Sequence, residues 1–116
     1  MGITQMRGRA GEALAIAYLE LAGCRVLARN LRLGGVEVDV VVGDGEAQVL
    51  VEVKVRARSD YGGAVAAVDQ AKQRRLIQAA RALEQRGARA VRIDVVAVDV
   101  SADGATVRHV RNAVTG

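Results

Sequence analysis

Four charged side chains lie in two strongly apolar segments of this sequence, where their chemistry needs an explanation. Glu37 and Asp39 belong to "VEVDVVV", and Glu52 and Lys54 belong to "VLVEVKV". Residues two apart share one face of a strand, so each pair projects in one direction. Grouped carboxylates suit a hard divalent cation, because Mg²⁺ and Mn²⁺ prefer oxygen ligands. The pattern therefore predicts a magnesium or manganese site, and the alternative is a solvated face with a chance cluster of charges.

The turn between the two strands decides which of these charges meet. "GDGE" (43–46) joins them, and Asp-Gly between alternating hydrophobic residues is a strong hairpin signal. With residue 43 opposite residue 46, Asp39 faces Leu50 and Glu37 faces Glu52. This register makes Asp39 and Glu52 diagonal neighbours, about 7 Å apart. Glu37 then either supports the metal ligands or is simply exposed.

The surrounding segments predict an α/β sandwich around a mixed sheet, in the order α-β-β-β-α-β-β. A helix over 8–22 has apolar residues at helical spacing and stops at Gly23. An amphipathic helix over 68–86 stands between the third and fourth strands, so those strands can pair in parallel. The predicted strands are 24–33, 36–42, 47–57, 90–100 and 106–114, and "SDYGG" (59–63) is a loop.

Length and composition set limits on the class of protein. The 116 residues fit a single domain, 1–116, in which 1–7 is expected to be a flexible N-terminus. Seventeen Lys and Arg against 13 Asp and Glu give a net charge of +4, which suits nucleic acid. The absence of Phe and Trp argues against a module that stacks bases on aromatic rings. The chain shows neither a signal peptide nor a membrane span, so the cytoplasm is expected.

The remaining chemically active residues favour structural roles. Cys24 is the single cysteine, expected to be a small buried side chain, so an intrachain disulfide is excluded. Tyr18, at helical spacing with Leu14 and Leu21, is predicted to lie in the core. His109 lies between two arginines in the last strand and is interpreted as structural or exposed. No nucleophile–base pair is offered by Ser, Cys and His, which argues against a triad hydrolase.

The spacing of the acidic residues has a counterpart among nucleases. Asp39, then twelve residues, then Glu52-Val53-Lys54 resembles the D…E-x-K signature of restriction-endonuclease-like enzymes. Almost the whole chain, about 8–114, also resembles the YraN-like family of small bacterial proteins, whose fold is similar to that of archaeal Holliday-junction resolvases. The matching segments are "GEALAIAYLELAG", "VLARNLR", "EVDVV", "VEVKVR", "YGG", "AKQRRL", "RIDVVAV" and "VRHVRNAV". One departure is Val36, where that family usually has Gly, and this change bears on substrate fit.

That resemblance implies a fold and an activity. The fold is a restriction-endonuclease-like three-layer sandwich with a central mixed sheet. The activity is metal-dependent hydrolysis of DNA phosphodiester bonds, including branched or structured DNA. By the same resemblance Asp39 and Glu52 bind Mg²⁺ or Mn²⁺, and Glu12 on the first helix joins them. Lys54 matches the catalytic lysine, which orients the attacking water or stabilises charge on the phosphate.

Basic residues near this site are candidates for phosphate contacts. Arg32, Arg56 and Lys72 are predicted to bind nucleic acid, and each is equally well explained as a solvated charge. DNA is favoured over RNA, and cutting two strands needs two sites, which is consistent with a homodimer. Two other functions stay open. One is a nuclease-like fold that binds nucleic acid without useful catalysis, and the other is a protein-interaction domain.

Overall fold

A computed structural model describes residues 3–57 and 68–116, with side chains from residue 8 onward. The predicted order of helices and strands is confirmed. The elements are α1 (Ile3–Leu21), β1 (Arg25–Leu33), β2 (Val36–Asp44), β3 (Ala47–Ala57), α2 (Gln70–Gln85), β4 (Ala90–Ser101) and β5 (Gly104–Val110). Helix α1 begins before the predicted start at residue 8 and so enters the segment expected to be flexible, and β5 ends before the predicted residue 114. The predicted loop 59–63 lies outside the described residues.

The five strands form one mixed sheet in the order β1-β2-β3-β4-β5. Strands β3 and β4 are parallel, and the other neighbouring pairs are antiparallel. Parallel neighbours need a crossover connection, and α2 lies within it, as the sequence predicts. In the described part of the chain no helix is long and apolar enough to cross a membrane.

The two helices cover opposite faces of the sheet and produce two aliphatic cores. On one face Leu76, Ala79 and Leu83 of α2 pack with Val41 and Leu50. On the other face α1 packs against the second set of strand residues, and the buried Cys24 belongs to this core as predicted. That core contains Ala15, Ile16, Leu19, Cys24, Val40, Val42, Val49, Val51, Val53, Val96 and Val98. The result is the predicted three-layer sandwich.

The hairpin between β2 and β3 turns one residue later than predicted. Asp44 pairs with Ala47, which leaves a two-residue turn with Gly45 at φ +60°. The opposition of Asp39 to Leu50 is therefore wrong, because Leu50 pairs with Val41. A shift of two residues preserves the faces of a strand, and it brings Asp39 level with Glu52.

Strand β2 separates from β3 at Asp39, and this separation also corrects the prediction for Glu37. The β2–β3 pairs end at Val40 opposite Val51, whereas β2 continues beside β1. Val38 packs on the α2 side and Val40 on the α1 side, so the strand changes its facing at Asp39. Glu37 pairs with Arg32 of β1 and does not oppose Glu52.

A close contact sets α1 against the sheet. Gly11 approaches Val55 so closely that a β-carbon at position 11 would clash with a Val55 methyl group. Only a glycine allows this separation between the helix and β3. The contact holds the first half of α1, and with it Glu12, beside the strands that carry the acidic residues.

Candidate functional site

Two carboxyl groups meet where β2 leaves β3. Asp39 is half-buried, and its Oδ2 accepts a hydrogen bond from the backbone N–H of Val53 at 3.0 Å. This bond takes the place of the β2–β3 strand pairing, whose last pair is Val40 with Val51. Glu52 is only 4% exposed, and its carboxyl group shares a hydrogen bond with that of Asp39. The structure therefore brings together the two residues that the sequence predicts as metal ligands.

The charge state of this carboxyl pair is unusual. Burial raises the pKa of Glu52 from 4.5 to about 7, and the hydrogen bond to Asp39 and the negative charge of Asp39 contribute to this rise. Lys72 and Lys54 act in the opposite direction and offset part of this rise. Two carboxylates that share one site disfavour double ionisation, so the pair needs either a proton or a cation.

Both lysines of the chain act on Glu52. Asp69 caps α2 by accepting a hydrogen bond from the N–H of Lys72 at 2.8 Å, which places this lysine in the first helical turn. From there Nζ of Lys72 reaches Oε2 of Glu52 at 3.5 Å. Lys54, two residues along β3, is partly exposed and lowers the pKa of Glu52 through its charge. Every other basic side chain that carries a permanent charge is an arginine.

Glu12 lies beside Asp39 but does not complete a three-carboxylate cluster. Both residues line a groove of about 230 Å³ between α1 and the sheet, called here the α1 groove, with Arg9 and Arg29 on its walls. Among residues 8–57 and 68–116, no three Asp, Glu, His or Cys side chains form a group that could hold a metal ion. The role of Glu12 as a third ligand stays a prediction.

A second groove lies on the opposite face of the sheet. It has a volume of about 370 Å³, and its walls include Arg32, Glu37, Lys72 and Arg75. Gln78 closes one side, since its Nε2 donates to the carbonyl of Gly34 at 2.6 Å and ties the β1–β2 turn to α2. This α2 groove contains two of the three predicted phosphate contacts, and Lys72 connects it to Glu52.

The third predicted phosphate contact, Arg56, has a different environment. Its Nε lies 2.6 Å from Oδ1 of Asp99, and its side chain is 11% exposed. The parallel register places these two residues directly opposite each other on β3 and β4. A phosphate-binding role for Arg56 stays a prediction, although a carboxylate already neutralises its charge.

A second buried acidic residue lies across the sheet in a fully connected network. Asp94 is 1% exposed and binds Nε of Arg92 at 2.8 Å, Nε2 of His109 at 2.7 Å and the N–H of Asn112 at 2.9 Å. Burial opposes ionisation, but these hydrogen bonds hold the pKa of Asp94 below its ordinary value. The other ring nitrogen of His109 bonds the hydroxyl of Tyr18 at 2.9 Å. His109 is thus structural, one of the roles its sequence favours.

Arg75, Arg9 and Asp94 were not predicted as functional residues, although the sequence contains signals for them. Lys72 and Arg75 stand three apart in α2, the spacing of neighbours on one helical face. Arg9 and Glu12 have the same spacing in α1. Asp94 has apolar neighbours on both sides in β4, a position that a charged residue occupies only with partners.

Comparison with known proteins identifies relatives along most of the chain. The profile described as "Uncharacterised protein family UPF0102" matches residues 11–98. A UPF0102 protein of Halorhodospira halophila is 44% identical over 109 residues, covering 94% of this chain and 87% of its own. Another, from Stutzerimonas stutzeri, is 38% identical over 117 residues, covering 97% and 98%.

One solved structure shows a distant similarity. Pyrococcus furiosus SfsA in complex with Ca²⁺ is 18% identical, with a TM-score of 0.47. The similarity covers 91% of this chain and 62% of that protein.

Proposed function

We propose a nuclease activity for this chain on the premise that it belongs to the uncharacterised protein family UPF0102. The proposed reaction is divalent-metal-dependent hydrolysis of phosphodiester bonds in DNA, with branched or structured DNA among the substrates. Action as a homodimer is part of the same proposal.

One observation carries this proposal: the Asp39–Glu52 pair keeps two carboxyl groups together, and the pKa of Glu52 is raised although Lys72 and Lys54 act on it. Ordinary structural carboxylates bind arginine, as Asp94 and Asp99 do in this protein. Glu52 instead has a second carboxyl group as its hydrogen-bond partner and an ammonium group at 3.5 Å. Such an arrangement costs folding free energy, which a binding function explains and packing does not.

The donor set fits a hard divalent cation. Mg²⁺ in nucleotide-processing sites commonly takes one or two protein carboxylates, and water and substrate phosphate supply the other ligands. Asp39 and Glu52 would hold the cation, with Glu12 available from the wall of the α1 groove. When bound, it would neutralise charge on the scissile phosphate and acidify a water molecule.

The two lysines have separate roles in this proposal. Lys54 is partly exposed beside Glu52, where its ammonium group orients the attacking water or stabilises charge on the phosphate. Lys72 lies on the α2 groove and pairs with Glu52, so it can contact a neighbouring phosphate. An ammonium group suits both positions, because it is a compact charge that donates in several directions.

A cleavage assay with Mg²⁺ or Mn²⁺ tests the proposal. Wild type should cleave labelled branched or duplex DNA, and Lys54→Ala and Asp39→Asn should each reduce the rate at least about 100-fold, the scale for loss of one charge-stabilising group. Arg89→Ala, at an exposed position that lines neither groove, is the matched control and should cleave like wild type. Absence of cleavage by wild type, or full activity in Lys54→Ala, would refute the proposed mechanism.

Nucleic-acid binding without cleavage is the second candidate function. It is favoured by the absence of a third acidic ligand from the metal-binding group in the described part of the chain. Salt-dependent DNA binding by a protein that does not cleave DNA would support this candidate.

A further inference from the structure

The α1 groove and the α2 groove are connected through the acidic pair. Asp39 lines the α1 groove and shares a hydrogen bond with Glu52. Glu52 in turn pairs with Lys72, which lines the α2 groove. A phosphate placed on the acidic pair therefore has a groove with arginine side chains on each side of it.

These grooves lie on opposite faces of the sheet. Helix α1 packs on one face and α2 on the other, and each groove is formed between its helix and the strands beneath. Strand β1 contributes to both grooves, since Arg29 lines the first and Arg32 lines the second. Because β1 is an edge strand, a ligand can pass around it from one face to the other.

Two arginines of the grooves differ from three arginines of β3, β4 and β5. Arg56, Arg92 and Arg108 bind aspartates of the protein. Within residues 8–57 and 68–116, neither Arg29 nor Arg75 forms a salt bridge, and both are exposed. Their charge is therefore available to an anionic ligand.

The chemistry of the walls points to the phosphate backbone and away from the bases. No aromatic side chain of the described residues lines either groove. Base recognition on single strands relies on stacking against aromatic rings, whereas guanidinium groups bind phosphates of any sequence. Contacts in these grooves would thus be electrostatic and independent of sequence.

We infer that the two grooves form one track for a single DNA strand, which turns around the edge strand β1 and passes Asp39 of the acidic pair in the α1 groove. This inference rests on the proposed function for the position of the cut and adds the form of the substrate. A DNA duplex has a persistence length of about 50 nm, so a duplex resists a turn within a few nucleotides. A single strand bends easily and can occupy both grooves.

Fluorescence anisotropy in EDTA tests the track without cleavage. A labelled single strand of about 20 nucleotides should bind roughly tenfold more tightly than a blunt duplex of the same sequence, because only the strand bends freely. Arg29→Ala and Arg75→Ala should each lower the slope of log K against log salt by about 0.7, the value for one phosphate contact on single strands. Arg89→Ala is the control for the loss of one exposed positive charge.

Each outcome separates this inference from the proposed function. Equal affinity for the strand and the duplex overturns the track, as does an unchanged slope in either groove variant or an equal loss in Arg89→Ala. The expected binding pattern in a protein that does not cleave DNA with Mg²⁺ or Mn²⁺ upholds the track and overturns the nuclease. If the protein cleaves DNA but its groove variants bind DNA like wild type, the nuclease is upheld and the track is overturned.

Discussion

Glu52 and Asp94 are two buried acidic residues on neighbouring parallel strands, and they have opposite electrostatic environments. Asp94 has Arg92, His109 and a backbone N–H as partners, and its pKa is lowered. Glu52 has another carboxyl group as its hydrogen-bond partner, and its pKa is raised to about 7. Asp94 is 1% exposed and Glu52 is 4% exposed, so their burial is similar and their partners determine the difference in pKa.

This difference separates a structural charge from a functional one. Satisfied buried charges hold elements together, and the Asp94 network joins α1 through Tyr18 to β4 and β5. An acidic pair in which the pKa of one carboxyl group stays raised despite two nearby lysines instead favours an external positive charge. Four experiments test this contrast.

The largest expected effect is at Asp94. Asp94→Asn keeps the shape but removes the charge that Arg92 and His109 share, and breaking a buried ion pair costs about 3–5 kcal/mol. Urea denaturation at pH 7 measures this loss in the free energy of unfolding. Asp103→Asn, in the exposed β4–β5 turn, is the matched control and should change stability by less than about 0.5 kcal/mol. Similar stabilities for the two variants would contradict a structural role for the network.

Neutralising Glu52 should increase the free energy of unfolding at pH 8, whereas neutralising Asp94 should decrease it. Its pKa is about 7 in the folded state against 4.5 ordinarily, so between these values the folded state retains a proton that the unfolded state has lost. The free energy of unfolding should therefore fall as the pH rises from about 4.5 to about 7. Glu52→Gln removes this dependence, and at pH 8 in EDTA it should be more stable than wild type by about 2–3 kcal/mol.

Urea denaturation across this pH range measures the effect, with the exposed Glu46→Gln as the control. A Glu52→Gln protein less stable than wild type at pH 8 would show that Glu52 is a structural charge like Asp94. The two residues also differ in their pH windows, because stability from Asp94 is lost only as the pH falls below about 3.8.

Mn²⁺ should have a smaller effect. At ten times its Kd it should stabilise wild type by about 1.4 kcal/mol, because it binds the folded state. Asp39→Asn and Glu52→Gln should lose this stabilisation, whereas Asp103→Asn should retain it. Calorimetric titration measures the affinities directly. If Glu52→Gln binds Mn²⁺ as tightly as wild type, the assignment of the acidic pair as the metal site is wrong.

The smallest effect is expected at Tyr18. Tyr18→Phe removes one hydrogen bond to the buried His109 ring, a loss of about 1 kcal/mol. Thermal or urea denaturation should show this decrease, while Mn²⁺ affinity should be unchanged. A change in Mn²⁺ affinity without a change in stability would indicate that the network acts on the metal site rather than on the fold.

Local sequence patterns determined the architecture and the identity of the acidic pair. Period-two alternation and a short Asp-Gly turn are enough to predict that Asp39 and Glu52 lie close together on neighbouring strands. An error of two residues in the register did not affect this prediction, because the side-chain period of a strand is two. The change of facing at Asp39 was not predicted. The crossover helix and the order of the strands follow from the same periodicities.

Only the tertiary structure decided which charges have partners. Lys72 meets Glu52 through a helix on one face of the sheet, and Asp99 neutralises Arg56 through the parallel register of β3 and β4. Asp94 and Glu52 are alike in sequence, each an acidic residue within an apolar strand. Periodicity determines which face a side chain occupies, but a charge state depends on burial and on partners distant in the sequence. That is why the sequence predicts the acidic pair, while the contrast between Glu52 and Asp94 appears only in the folded protein.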